Sequence, residues 1–180
     1  MIYVFLANGF EETEAITPID CLRRAGKTVK TVGIGGKVIT SSHGIPVTAD
    51  ITPEEIVLDS ALEMVVLPGG MPGTRNLGAD ADVHAALSYC AAHGKKIGAI
   101  CAAPSVIGKL GLLSGHRAVC FPGFEDQLLG AEIGTEKAVI SGDYITARGA
   151  GAALEFGLAL VESLLGKETA DALAQKMEFV

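Results

Sequence analysis

The stretch KKIGAICAAPSVIGKLGLL, Lys95 to Leu113, changes its hydrophobic period in the middle, and this constrains the fold more than any other feature. Ile97 to Ile100 are small or branched apolar residues, the composition of a strand buried on both faces of a parallel sheet. From Ala102 onward the pattern turns helical, with Val106, Ile107, Leu110 and Leu113 at three- and four-residue spacing. Cys101 stands at the change of period, so it belongs on a sharp strand-to-helix turn. Pro104 suits the first turn of the helix, where its missing N–H costs little. A side chain on such a turn is aimed out of the top of the sheet, towards the first amides of the helix. That setting lowers a thiol's pKa by stabilising the thiolate. The competing reading is a small buried hydrophobe, the usual fate of a free cysteine; the junction favours the reactive thiol.

The rest of the chain repeats the alternation. Ile2 to Ala7, Lys27 to Ile34, Leu62 to Leu67, Ala118 to Phe121, Ala138 to Ser141 and Tyr144 to Ala147 read as strands. Helices are expected from Glu11 to about Ala25 (kinked at Pro18), from Asp80 to His93, from Ala152 to Leu165 and from Glu168 to Lys176, with a short one over Phe124 to Leu129. Val38 to Ala49 reads as a β-ribbon turning at His43-Gly44, and Thr52-Pro53-Glu54-Glu55 as a helix start. Strands and helices in this order specify an α/β fold, a doubly wound, mostly parallel sheet with helices on both faces. With 180 residues and no linker or repeat, one domain spanning 1–180 is expected.

Composition narrows the class. The chain is 49% hydrophobic, enough for an ample core. No apolar run reaches the length of a membrane span, and MIYVFLANGFEE lacks a signal peptide's basic start and cleavage site. Cys21, Cys90, Cys101 and Cys120 have no disulfide-framework spacing, so a reducing cytoplasmic compartment is expected. A net charge of −7 argues against a nucleic-acid partner.

In open parallel sheets the functional crevice lies outside the carboxyl ends of the strands. Glu11, Glu12 and Glu14 follow the first strand, Gly69-Gly70 follow LEMVVL, and Cys101 follows IGAI. A carboxyl beside a thiol can orient it or shuttle a proton, and the amides of Gly70 and Ala102 can form an oxyanion pocket. Helical spacing puts Glu11 and Glu14 on one face and Glu12 about 100° away. Glu14, flanked by Ala15 and Ile16, is the expected acid partner, with a carboxyl raised by desolvation.

LANGFEETEAITPIDCLRRAG, VVLPGGMPGTRNL, IGAICAAPSVIGKLGLL and ITARGAGAALEFGLALVESLLGKE resemble the DJ/ThiJ/PfpI superfamily, in the branch of the parkinsonism-linked protein deglycase and its bacterial relatives. The resemblance runs nearly end to end. It implies a flavodoxin-like sandwich, a homodimer, and an oxidation-sensitive elbow cysteine at Cys101. It also implies Glu14 as the acid hydrogen-bonded to that cysteine, with Gly70 and Ala102 as backbone donors. Activities reported for the family are glutathione-independent glyoxalase, protein and nucleotide deglycation, redox-regulated chaperoning and, in another branch, proteolysis. Two positions depart from the pattern. Ala102 replaces the histidine that follows the cysteine in the protease branch, which argues against a Cys-His peptidase. Phe121 stands where the parkinsonism-linked branch has a pocket histidine, leaving any general base to Glu14 or another group.

The remaining candidates are weaker. None of the four histidines has zinc-site spacing, and solvated surface positions are expected. His43 stays open because the family's equivalent ribbon packs near the partner subunit's pocket. Arg148 matches a family arginine near the site, with a surface ion pair as the alternative. Gly69 joins Phe121, Arg148 and His43 as possible pocket lining. GIGGK and GMPGTRN lack phosphate-loop spacing, so no nucleotide, cofactor or metal is expected. Three readings follow. One is a cysteine-dependent enzyme acting on small reactive dicarbonyls or their adducts. Another is a redox sensor or redox-regulated chaperone, non-catalytic, in which Cys101 oxidises to sulfinic acid. The third is a structural dimer with an inert thiol.

Overall fold

The computed structural model describes residues 1–179. In chain order the elements are β1 (Ile2–Ala7), α1 (Glu12–Arg24), β2 (Val29–Ile34), a ribbon of β3 (Val38–Thr40) and β4 (Pro46–Thr48), β5 (Met64–Leu67), α2 (Gly73–Ala79), α3 (Ala81–Ala92), β6 (Lys96–Ile100) and α4 (Pro104–Lys109). They continue with β7 (Arg117–Ala118), β8 (Glu132–Ile133), β9 (Ala138–Ser141), β10 (Tyr144–Ala147), α5 (Ala153–Leu165) and α6 (Lys167–Lys176).

Six strands form the main sheet in the order β2-β1-β5-β6-β10-β9. All its pairings are parallel except β9 with β10. This is the flavodoxin-like architecture, with apolar clusters on both faces. One holds Phe5, Leu67, Leu87 and Ile107; the other holds Leu6, Leu22, Ile100, Phe156 and Leu160. All six residues of β1 are buried, which explains why IYVFLA shows no polar alternation. The chain leaves β1 for β2 on one side and returns to β5 on the other. That reversal opens a crevice above the carboxyl ends of β1 and β5.

Several expected elements differ. Between Ala118 and Phe121 only Arg117–Ala118 is strand, paired with β8 outside the main sheet. Beyond it the Val119 amide donates to the Thr146 hydroxyl (3.0 Å) and the Phe121 amide to the Cys101 carbonyl (2.7 Å), so no ladder continues. Phe124 to Leu129 contains only a 3-10 turn over Glu125–Gln127, and Thr52 opens only another over Pro53–Glu55. The helix after Cys101 starts at Pro104, not at Ala102. α1 continues through Pro18. Helix α2, over GTRNLGA, was not expected at all; glycine opposes helix formation, but full burial of Leu77 overrides that local preference.

Candidate active site at the Cys101 elbow

The crevice is assembled by backbone contacts between the segments that follow β1, β5 and β6. The Glu11 amide donates to the Gly69 carbonyl at 3.0 Å, tying the start of α1 to the β5 loop. The Glu11 carboxylate caps α1 by accepting from the Glu14 amide at 2.7 Å. Glu14, one helical turn on, is 1% exposed, and its Oε2 accepts from the Gly69 amide at 2.9 Å. Its carboxyl also faces the Cys101 thiol and the Ala150 amide, both of which favour its ionised form. Glu12 turns the other way, to His43. The structure therefore places Glu14, of the three glutamates, against the thiol.

Gly69 leaves no room for a side chain. A Cβ there would lie 2.5 Å from Glu14 Oε2 and 2.6 Å from Cys101 Cβ. Gly70 has φ +87, and a Cβ on it would meet the Glu11 amide nitrogen at 2.4 Å. The two glycines are what let carboxyl and thiol meet.

Cys101 has φ +65, a left-handed conformation that a non-glycine residue adopts only under constraint. The constraint is visible on both sides of the residue. Its amide donates to the Ala147 carbonyl (2.9 Å), and its carbonyl accepts from the Phe121 amide (2.7 Å).

The electrostatics agree with expectation for Glu14 and correct it for Cys101. Burial raises the Glu14 carboxyl to about 7, against the lowering effect of its hydrogen bonds to Cys101, Gly69 and Ala150. The thiol is not lowered. Burial, followed by the charge of Glu14 and the hydrogen bond to it, pushes Cys101 up to about 12, and the amides of Ala102 and Gly70 oppose this. The expected helix-terminus effect is outweighed because α4 starts three residues downstream, while a buried carboxylate lies in contact. Near neutral pH Cys101 therefore rests as the thiol and the Glu14 carboxyl is divided between its two protonation states, the ionised form being the one placed to accept the S–H proton.

The remaining sequence candidates lie around this pair. Phe121 is 48% exposed, and with Gly149 and Arg148 it lines a cavity of about 380 Å³. A Cβ on Gly149 would stand 3.3 Å from the Phe121 ring and 3.9 Å from Glu14 Oε1, so this cavity borders the carboxyl. Arg148 forms no salt bridge among the described residues. His43 does not reach the thiol; its Nδ1 lies 2.9 Å from Glu12 Oε1, and its side chain is 69% exposed. Glu11, Glu12 and His43 each bring a ligand atom within 4.8 Å of the others. These groups already hold partners, the α1 amide for Glu11 and each other for Glu12 and His43. Of the other histidines, His93 is exposed, whereas His84 and His116 are half-buried. His84 Nε2 lies 2.9 Å from the Gly78 carbonyl, and His116 Nδ1 3.2 Å from the Ser141 hydroxyl. Ala150 had not been singled out. Its only trace in the sequence is the run of small residues after β10, which allows the close approach.

The sequence profile of the DJ-1/PfpI family matches residues 1–163. The chain is 37% identical to protein DJ-1 homolog B of Arabidopsis thaliana over 94% of its own length and 39% of that protein. It thus spans about two fifths of that relative. It is 37% identical to protein dj-1beta of Drosophila melanogaster over 96% of this chain and 93% of that one. A protein named deglycase in Pyrococcus abyssi is 30% identical over 82% of this chain and 89% of its own. Among solved structures, oxidized Toxoplasma gondii DJ-1 superposes with a TM-score of 0.92 at 36% identity, covering 98% of this chain and 96% of that one.

Proposed function

Because this chain belongs to the DJ-1/PfpI family, we propose that it works as a single-domain, cysteine-dependent enzyme on small reactive dicarbonyls or their thiol and amine adducts. The observation that carries this reading is a thiol on a strained elbow in contact with a buried carboxyl raised to about 7. A base with a pKa near the operating pH is the most effective proton acceptor. In the first step the Cys101 sulfur adds to the aldehyde carbon, forming the S–C bond. The S–H proton passes to Glu14 and then to the carbonyl oxygen, giving a neutral hemithioacetal. Negative charge developing on that oxygen meets the amides of Gly70 and Ala102. For methylglyoxal, Glu14 then takes the proton from the hemithioacetal carbon as the neighbouring ketone oxygen becomes protonated, giving an enediol. Returning a proton to the neighbouring carbon while the hemithioacetal hydroxyl gives up its own leaves a lactoyl thioester with no net change in protons. Water cleaves the thioester, so the sum is methylglyoxal plus water to lactate. With a hemiaminal adduct the sulfur displaces the amine, the S–C bond forming as C–N breaks and the S–H proton passing through Glu14 to the leaving nitrogen, which gives the same hemithioacetal and a free amine. The name of the Pyrococcus abyssi relative supports this substrate class.

Incubation with methylglyoxal in the absence of glutathione, with lactate as the readout, tests the proposal. Wild type is expected to turn over and Cys101→Ala to be inert. Equal lactate from both overturns it.

The second reading, a sensor or redox-regulated chaperone, draws support from the oxidized Toxoplasma relative. Two equivalents of peroxide would convert the thiol to a sulfinic acid and release two waters. Protonated Glu14 would then donate to a sulfinate oxygen. Under limiting peroxide, peptide mass mapping should place the shift on Cys101 before Cys21, Cys90 or Cys120, with no lactate formed by wild type.

In either reading we place a homodimer interface across α1 and the β3–β4 ribbon, where Ile16, Val38 and Ile45 are exposed. A monomer in light scattering at micromolar concentration would count against that interface.

A further inference from the structure

Beside the loop that follows β5 lies a cavity of about 560 Å³, walled by α2, the start of α3, α4 and the 3-10 turn at Glu125–Gln127. Cys101 does not line it. Its size is that of a pocket for one small organic molecule.

Four observations bear on what it holds. Thr74 lines it, is 4% exposed, and its hydroxyl has no hydrogen-bond partner among the described residues. A buried polar atom without a partner is rare and costly unless something outside the chain satisfies it. Arg75 and Lys109 also line the cavity, and neither forms a salt bridge among the described residues. No aspartate or glutamate lines it, in a chain whose net charge is −7. Met71, Leu110 and Phe124 supply an apolar wall.

We propose that this cavity is a second ligand site, separate from the thiol, for a small organic oxyanion on a compact ring or hydrocarbon body. Arg75 and Lys109 attract the carboxylate or phosphate, and a guanidinium can bind either group bidentately. The Thr74 hydroxyl bonds the ligand at depth. The body lies against Met71, Leu110 and Phe124, where an aromatic ring finds an aromatic partner. This inference does not depend on the chemistry proposed for Cys101.

Calorimetric titration with phenyl phosphate, benzoate, inorganic phosphate and neutral benzyl alcohol tests it, paired with amide chemical-shift mapping. Phenyl phosphate or benzoate is expected to bind saturably, and benzyl alcohol at least tenfold more weakly. Shifts should centre on Gly78, Val106, Leu110 and Phe124, and Cys101→Ala should bind like wild type. The double variant Arg75→Gln/Lys109→Gln, whose side chains are surface cations, should lose at least tenfold in affinity. Thr74→Val should raise Tm without ligand, because it removes an unpartnered hydroxyl, and yet weaken binding several-fold. Unchanged affinity in the double variant overturns the site, as do benzyl alcohol binding as tightly as phenyl phosphate and shifts centred on Cys101. A lowered Tm for ligand-free Thr74→Val would show that the hydroxyl is structural and overturn its assigned role.

Discussion

The elbow after β6 and the inner face of α3 each carry a thiol, and the two contrast in what holds its proton. Cys90, on α3, is fully buried, and burial alone pushes it up to about 12, with Lys95 opposing. Cys101 reaches the same value, but two of its three raising causes come from Glu14. Protonating or replacing one carboxyl therefore changes Cys101 and leaves Cys90 alone. On the proposed reading, what sets the Cys101 thiol apart from that of Cys90 is a neighbour that titrates near neutral pH, together with the amides of Ala102 and Gly70, which favour the thiolate. Burial does not distinguish them.

The largest expected effect is on turnover. Cys101→Ala should abolish lactate formation from methylglyoxal, while Cys90→Ala should leave it unchanged and cost only about 1 kcal/mol of stability in chemical denaturation. Loss of turnover in Cys90→Ala with an intact fold would erase the contrast. Glu14→Gln comes next, with kcat reduced about 10²- to 10⁴-fold by loss of the proton acceptor. The same variant should lower the Cys101 thiol pKa, read from the rate of alkylation against pH, because the adjacent charge is gone. The alkylation profile of Cys90 should not move. A Cys101 profile that stays in place would show that burial alone sets both thiols.

Stability against pH gives the third test. Glu14 holds its proton more tightly folded (about 7) than at its ordinary value of 4.5. Its stabilising contribution is complete below 4.5 and is lost as pH rises through about 7, amounting to about 3 kcal/mol. Urea midpoints of wild type and Glu14→Gln should therefore diverge between pH 4.5 and 8, with wild type losing more. Parallel curves would place the Glu14 carboxyl at its ordinary value. The same ionisation should make kcat/KM rise with pH through about 7. Last comes Gly69→Ala, which should cost about 1–3 kcal/mol of stability from crowding of Glu14 and Cys101. If its turnover matches wild type, the close approach at Gly69 is not needed for the chemistry.

The sequence by itself determined the alternation of strands and helices, the position of Cys101 at an elbow, and the meeting of three loops above the sheet. These follow from local periodicity and from the rule that parallel sheets expose their carboxyl ends, and neither needs the packed structure. It also pointed to Glu14 over Glu12, because helix geometry fixes which residues share a face. Tertiary structure alone decided whatever depended on packing between segments distant in the chain. Helix α2 forms in a glycine-rich run because Leu77 is buried, and the strand expected at Ala118–Phe121 ends early because its amides find partners on β10 and the elbow. The direction of the Cys101 shift was likewise beyond the sequence. A helix terminus was visible there, but the burial and the carboxylate contact that outweigh it arise only when β1, β5 and β6 bring Glu14, Gly69 and Cys101 to one point.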